Sequence, residues 1–204
     1  MRHYKSVTVA LLALCGSAAH AQNIVGNPGF ETGTASNFAP WTHTQTLNFL
    51  TQNDNNVNFA RTGTHSGELL STDVAGSGSI SQTLTTVSLQ TYTLDFWLNN
   101  RNGTRVGGTD PFTVQWNGSP LPGINLPNDS LYHEYTFTVA ATGTSTVLEF
   151  DSPTMGSPWQ INLDDVSAKA LVTPEPGSFA LLLTSAVTGV GLVARRRRTA
   201  RKVV

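Results

Sequence analysis

Aromatic side chains flanked by polar groups are the residues of this sequence best suited to binding a ligand. Trp97 and Asp95 share one phase of the alternating stretch YTLDFWL (residues 92–98). Trp159 follows Pro158 in a predicted loop, and Tyr132 stands in another. A sugar has an apolar ring face and a belt of hydroxyl groups, so a site for it combines an exposed aromatic ring with a few polar side chains. We therefore predict a sugar site formed by Trp97, Trp159, Asp95 and Tyr132, with burial of the two tryptophans in a core as the alternative.

The motifs that mark common enzymes are missing from the sequence. It contains no G-x-S-x-G, no H-E-x-x-H, no cysteine-based zinc site and no phosphate-binding loop. A glycosidase needs two carboxylates that flank a cleft. Glu134, Glu149 and Asp151 are available, but nothing in the sequence pairs two of them. We therefore expect a protein that is not an enzyme, with a polysaccharide-active hydrolase as the less favoured alternative.

The residues between 22 and 172 have the pattern of an all-β domain that would position these side chains. Apolar and polar residues alternate in several short segments, which Gly, Asn and Pro separate. Tyr92, Leu94, Phe96 and Leu98 share one face of such a segment, and Trp41 and Trp116 fall in phase with core residues. Strands at this spacing predict a jelly-roll β-sandwich with a single core. The predicted strands are residues 92–98, 112–116, 135–139, 147–150 and 161–166.

Charge is strongly segregated along the 204 residues. Between Gln22 and Thr173 four basic residues face twelve acidic ones, a formal charge of −8, whereas the last ten residues hold six basic residues and no acid. An acidic domain without a basic patch argues against nucleic-acid binding.

The N-terminus has the three parts of a secretory signal peptide. Arg2 and Lys5 precede an apolar stretch, and Ala19-His-Ala21 forms an A-x-A cleavage site. We predict a signal peptide over residues 1–21 and a mature protein without cysteine. The only cysteine is Cys15, whose context partly fits a lipoprotein signal, the alternative at this end.

The C-terminus has the pattern of a membrane anchor. Residues 177–194 carry no charge and end at four arginines, residues 195–198. Eighteen residues approach the length of a transmembrane helix, and a basic cluster stays on the cytoplasmic side. Pro174 and Pro176 hold Glu175 in an extended turn before the span. We predict a sorting segment over residues 173–204, with a transmembrane helix over 177–194 and a basic tail over 195–204.

The order Pro174-Glu175-Pro176, apolar span and arginine cluster resembles the PEP-CTERM sorting signal of Gram-negative bacteria. The resemblance implies recognition by an exosortase in the inner membrane. It also implies a host that makes extracellular polysaccharide. A plain tail anchor is the alternative.

The central domain resembles the galactose-binding-like jelly rolls, which include families of carbohydrate-binding modules. The similarity lies in NPGFE (residues 27–31) with Trp41, GTHSG (63–67), YTLDFWL and LDDV (163–166), in that order. It implies a structural calcium ion held by Glu31, by backbone carbonyls of the turn that contains Thr64 and Ser66, and by Asp164. The alternative is that Asp164 and Asp165 are solvated carboxylates at the end of a strand. Calcium takes such oxygen ligands. Strand alternation would send Asp164 and Asp165 to opposite faces, so only one is expected to be a ligand.

Together these observations predict an exported, non-catalytic protein that binds or scaffolds extracellular polysaccharide. The domain would face the periplasm while the tail is held in the inner membrane, and would reach the cell surface or matrix after sorting. The alternative is a structural adhesin or matrix protein that binds no sugar specifically.

Overall fold

The computed structural model describes residues 21–45, 49–71, 76–101, 112–127, 129–155 and 159–171. These residues form ten strands in two antiparallel sheets, which confirms the predicted all-β architecture. The strands are β1 Thr42–Gln45, β2 Phe49–Asp54, β3 Ser66–Ser71, β4 Gly76–Thr85, β5 Thr91–Asn100, β6 Thr113–Trp116, β7 Ser119–Pro120, β8 Tyr132–Ala140, β9 Ser145–Met155 and β10 Trp159–Ala170.

The two sheets have five strands each. One has the order β1-β4-β9-β6-β7, and the other, called here the front sheet, has the order β2-β3-β10-β5-β8. Every described pairing between strands is antiparallel. Each sheet combines strands that are far apart in the sequence, such as β3 with β10 and β4 with β9, so the fold depends on contacts between distant residues.

The core lies between the sheets and follows the predicted alternation. Tyr92, Leu94, Phe96 and Leu98 of β5 are buried, and the odd-numbered residues between them are half-buried on the opposite face. Phe96 meets Phe150 of the other sheet edge to face, with ring centroids 5.1 Å apart. Trp41 and Trp116 are also buried, as predicted. Each indole N–H donates to a backbone carbonyl, of Asn27 and Ala140 respectively.

The first described residues close one end of the core. Phe30 is fully buried and stacks on Trp41, with ring centroids 5.2 Å apart. Its ring lies against the backbone of Gly67, where a Cβ atom would come within 2.7 Å of it. Gly67 is therefore needed for close approach, because any larger residue would displace the Phe30 ring.

The two ends of the described domain are adjacent. Asn23 forms a β-bridge with Lys169 in β10, and the N–H of Ile24 donates to the carbonyl of Ala168 at 3.0 Å. The predicted signal peptide, the motif Pro174-Glu175-Pro176 and the rest of the sorting segment lie outside the described residues, except for Ala21. Within the described residues, no helix is long and apolar enough to cross a membrane.

Candidate functional site

The outer face of the front sheet gathers most of the residues predicted to bind sugar. Asp95, Trp97 and Asn99 alternate with the buried residues of β5 and therefore point away from the core. Tyr132 lies directly opposite Asn99 on the neighbouring strand β8 and so shares this face. The structure thus brings Asp95, Trp97 and Tyr132 together on one surface.

Trp159 differs from its predicted setting. Instead of lying in a loop, it is the first residue of β10, opposite Ser71 of β3. The preceding Pro158 indicated a loop, but proline is also tolerated immediately before or at the start of a strand. Only the backbone of Trp159 is described, so its role as a sugar ligand stays a prediction.

A row of polar side chains crosses four strands of this face. The row consists of Glu68 in β3, Asn162 in β10, Asn99 in β5 and Tyr132 in β8, each directly opposite the next. Glu68 and Asn162 are 3% and 1% exposed, which is unusual for these residue types. Sequence reasoning did not find this row, although the alternation of Asn162 with Ile161 and Leu163 was a usable signal.

The amide groups of the polar row are only half satisfied. Asn162 Nδ2 donates to Ser66 Oγ at 2.9 Å, and Asn99 Nδ2 donates to the carbonyl of Ser130 at 3.1 Å. The Oδ1 atoms of Asn99 and Asn162 are buried and have no hydrogen-bond partner within the described part of the chain. An unpaired buried acceptor costs about 1–3 kcal/mol. Two neighbouring acceptors on one face can therefore gain substantially from a ligand that carries hydroxyl donors.

Residues 55–65 cover much of this face and are called here the covering segment. The hydroxyl of Tyr132 donates to the carbonyl of Phe59. The guanidinium of Arg101 lies 3.0 Å from the centroid of the Phe59 ring, and its Nη1 is 3.7 Å from Glu68 Oε1. Phe59 therefore anchors the covering segment to the front sheet through its carbonyl and its ring.

The side chain of Arg61, in the covering segment, lies over one face of the Trp97 ring. Its guanidinium carbon lies 3.6 Å from the Trp97 ring centroid, and Nη1 forms an ion pair with Asp165. Cation–π contact is favourable by about 0.5–2 kcal/mol. Trp97 is half-buried, so a sugar could stack on the occupied face only after the guanidinium moves away.

Tyr132 is held in its neutral form. Burial raises the pKa of its hydroxyl far above the usual value, and the carboxylates Asp164, Asp165 and Asp54 raise it further. A neutral tyrosine keeps its proton and acts as a hydrogen-bond donor. The Tyr132 hydroxyl donates to the carbonyl of Phe59. A ligand in the polar row would therefore compete with the covering segment for this hydrogen bond.

Asp164 and Asp165 do not point to opposite faces, so the prediction from strand alternation was wrong here. The register of β10 against β5 shifts between Asp164 and Ser167, and Asp165 has a φ of 49°. A bulge of this kind reorients side chains. As a result, both carboxylates face the covering segment at Arg61 and Thr62.

Asp164 is a buried hydrogen-bond acceptor for the backbone of that segment. Its Oδ2 accepts the backbone N–H of Arg61 at 2.8 Å and of Thr62 at 3.2 Å, and its Oδ1 accepts the N–H of Asp165. The residue is 0% exposed. Burial raises its pKa to about 7; the N–H of Thr62 opposes this rise, and the charge of Asp165 adds to it.

Glu31 performs a similar task for residues 64 and 65. Its carboxylate accepts the N–H and the hydroxyl of Thr64, at 2.9 and 3.0 Å, and the N–H of His65 at 3.1 Å. Burial alone would raise the pKa of Glu31, but these hydrogen bonds outweigh it and lower the pKa.

The residues predicted to bind calcium lie near one another. Gly29 lies between them: a Cβ placed there would be 3.4 Å from Asp164 Oδ1 and 3.7 Å from Glu31 Cγ. In the structure the oxygens of both carboxylates accept backbone N–H donors. Within the described residues, no group of three or more His, Cys, Asp or Glu is placed to hold a metal. Calcium binding by Glu31, Thr64, Ser66 and Asp164 stays a prediction.

The carboxylates considered for catalysis lie on different sheets. Glu134 is opposite Trp97 in the front sheet, whereas Glu149 and Asp151 lie two residues apart in β9 of the other sheet. Burial raises the pKa of Asp151, and the charge of Glu149 raises it further. Glu149 and Asp151 are therefore the pair to mutate if hydrolysis is ever detected.

Comparison with known proteins identifies the fold but not the family. No family model matches the chain, and no curated protein matches it significantly. Among solved structures, the chain is similar to TmCBM61, a carbohydrate-binding module solved with β-1,4-galactotriose, with a TM-score of 0.51 and 16% identity over 74% of this chain and 100% of that one.

Two enzymes contain a similar domain within longer chains. The enzymatically active domain of bacteriophage CBA120 tailspike protein 4 has a TM-score of 0.52 and 15% identity over 73% of this chain and 21% of its own. Arabinose-bound MgGH51 α-L-arabinofuranosidase has a TM-score of 0.51 and 11% identity over 78% and 28%. At these identities the comparisons establish only a β-sandwich like that of carbohydrate-binding modules.

Proposed function

We propose that this protein is exported and binds extracellular polysaccharide, without catalysis, through the outer face of its front sheet. The observation that carries the proposal is the pair of buried, unpartnered amide oxygens, Asn99 Oδ1 and Asn162 Oδ1, on adjacent strands. The shared fold of a module solved with a galactotriose supports it.

The chemistry of the face favours a neutral, hydroxyl-rich chain. A sugar hydroxyl can donate to an amide oxygen and accept from a tyrosine or guanidinium, and the polar row with Arg101 offers both kinds of group. The domain is acidic overall, which disfavours a strongly anionic polymer. Trp97 and Asp95 continue the same face by one and two rows, so these two residues and the polar row, which includes Tyr132, form one surface.

Binding to a panel of soluble polysaccharides tests the proposal, measured by affinity electrophoresis and then by calorimetry. We expect at least one neutral polysaccharide to bind, and Asn99→Ala with Asn162→Ala to weaken it about tenfold, which is about 1.4 kcal/mol. Gln115→Ala, on the outer face of the other sheet, is the control and should bind normally. Equal binding by both variants would refute this site.

A structural role without specific sugar binding is the second candidate. The observation that favours it is the covering segment, which places Arg61 over Trp97 and Phe59 beside Tyr132. If no polysaccharide binds while the protein remains folded, this role is preferred. Hydrolysis of any polysaccharide, lost in Glu149→Gln or Asp151→Asn, would instead establish an enzyme.

The sorting proposal rests on residues 173–204. We expect an exosortase to recognise Pro174-Glu175-Pro176 after the domain has reached the periplasm, and to release it to the surface or matrix. Cell fractionation with a C-terminal tag tests this. Full-length protein should accumulate in the inner membrane when Glu175 is replaced by alanine, and a full-length, water-soluble product in the cytosol would contradict the proposal.

A further inference from the structure

One end of the sandwich is formed by four segments without a charged side chain: residues 85–92, 116–120, 139–146 and 170–171. They are joined by backbone hydrogen bonds, including Leu89 N–H to the carbonyl of Ala141 and Leu171 N–H to that of Thr91, both 2.8 Å. Gln90 Nε2 also donates to the carbonyl of Leu171 at 2.9 Å. We call these segments the apolar end.

The apolar end exposes large hydrophobic side chains. Leu89 is 87% exposed, Val87 64% and Leu171 41%. The rest of the domain is acidic, whereas these segments carry no charge, so this end is distinct in charge. Clustered apolar side chains at a surface mark interaction sites, whereas single ones need no explanation.

Leu89 has a backbone conformation that does not suit leucine. Its φ is 65°, in the left-handed region where the Cβ atom crowds the backbone and where Gly or Asn is favoured. Neither burial nor backbone preference accounts for leucine at this position. Strain of this kind concentrates at functional sites, which indicates that the exposed side chain itself has a use.

The position of the apolar end indicates what it contacts. Leu171, the last described residue, belongs to it. Only five residues, 172–176, connect Leu171 to the uncharged span of residues 177–194. Five extended residues reach about 17 Å at most. If that span lies in a bilayer, the apolar end is the part of the domain held nearest to the lipid surface.

We infer that the apolar end rests on the outer surface of the bilayer, with Leu89 and Val87 inserted at the headgroup boundary. Apolar side chains enter this interface favourably. The inference rests on the proposed membrane tether. It also gives the tethered domain a fixed orientation, with the polar row directed away from the lipid. Tyr132, which begins the nine-residue strand β8, stands about 27 Å from Ala140 at the other end.

The test uses the predicted mature chain, residues 22–204, which contains no cysteine, reconstituted into phosphatidylethanolamine–phosphatidylglycerol vesicles that contain brominated lipid. A fluorophore is attached to cysteine at Val87→Cys or, as a matched control, at Val57→Cys. Val57 is a similarly exposed valine, at 59%, and lies in the covering segment. We expect brominated lipid to quench the label at position 87 at least about twofold more than the label at position 57.

Vesicle flotation separates the two possible failures. If the chain floats with the vesicles and both labels are quenched equally, the tether stands and the inference is overturned. If the chain does not float, the tether fails and the inference fails with it. Concentration-dependent shielding of the label in lipid-free detergent would identify a second copy as the occupant and also overturn it.

Leu89→Asn provides an independent check. Asparagine tolerates the left-handed conformation, so the variant should fold with equal or greater stability. Lipid quenching at position 87 should nevertheless fall at least about twofold, because the largest inserted side chain is lost. Unchanged quenching in this variant would overturn the assigned role of Leu89.

Discussion

Burial of Asp164 should make the stability of this domain fall as the pH rises from about 5 to about 7. The native pKa is about 7, against an ordinary value of 3.8. Between these values the folded chain holds a proton that the unfolded chain has released. Stability decreases with pH wherever the native state binds more protons. The contribution of Asp164 is therefore complete below about pH 4 and lost above about pH 7.

The size of the effect follows from the two pKa values. Each pH unit of difference corresponds to about 1.4 kcal/mol, so the full loss is up to about 4 kcal/mol. The raised pKa of Asp151 acts in the same direction. The lowered pKa of Glu31 acts in the opposite direction, but only as the pH falls toward and below its ordinary value of 4.5. From about pH 5 upward, Asp164 should dominate.

Urea denaturation followed by tryptophan fluorescence, in EDTA and at several pH values between about 5 and 8, measures this slope. Asparagine at position 164 cannot titrate, so the stability of Asp164→Asn should depend much less on pH across the window. It should also be lower by about 1–3 kcal/mol at about pH 5, because the amide N–H groups would face the N–H of Asp165.

Asp95→Asn, on the same face of the front sheet, is the control and should keep the parental slope. The reasoning is refuted if the parent is equally stable at about pH 5 and about pH 7. It is refuted as well if Asp164→Asn retains the slope.

Three further outcomes follow from the geometry. Gly67→Ala should lower the free energy of unfolding by about 1–3 kcal/mol, because the new Cβ meets the Phe30 ring. Gly143→Ala, whose nearest neighbour would be 3.9 Å away, should be nearly neutral in the same urea titration. Arg61→Ala should uncover Trp97 and increase iodide quenching of its fluorescence, and a Trp97→Phe background should abolish that increase. Finally, if the predicted calcium site exists, calcium should raise the thermal midpoint above that in EDTA and magnesium should do so less; no calcium effect would exclude the site.

The regular parts of the fold were predictable because the pattern there is local. The alternation in YTLDFWL determined which residues of β5 face the core, and the phases of Trp41 and Trp116 predicted their burial. A strand buried on one face carries this information in its own residues, whatever it pairs with.

The site was less predictable because distant residues complete it. Arg61 reaches Trp97 and Asp165 only once the covering segment lies across the front sheet, and no local pattern contains that path. Similarly, the bulge after Asp164 depends on pairing with β5, so strand alternation gave the wrong direction for Asp165. Asp95, Trp97 and Tyr132 were predicted to lie in one site and do share one face of the front sheet, but no sequence pattern indicated what covers that face.

The bridge between Asn23 and Lys169 holds the two ends of the domain side by side, so the whole domain is suited to insertion into another protein. A host protein could accept it within a single surface loop, since the loop's two sides would enter and leave at neighbouring points. The same closeness permits circular permutation: a short linker could join residues 22 and 171 without crossing either sheet. New termini could then be opened elsewhere, and the sandwich would keep all of its strand pairings.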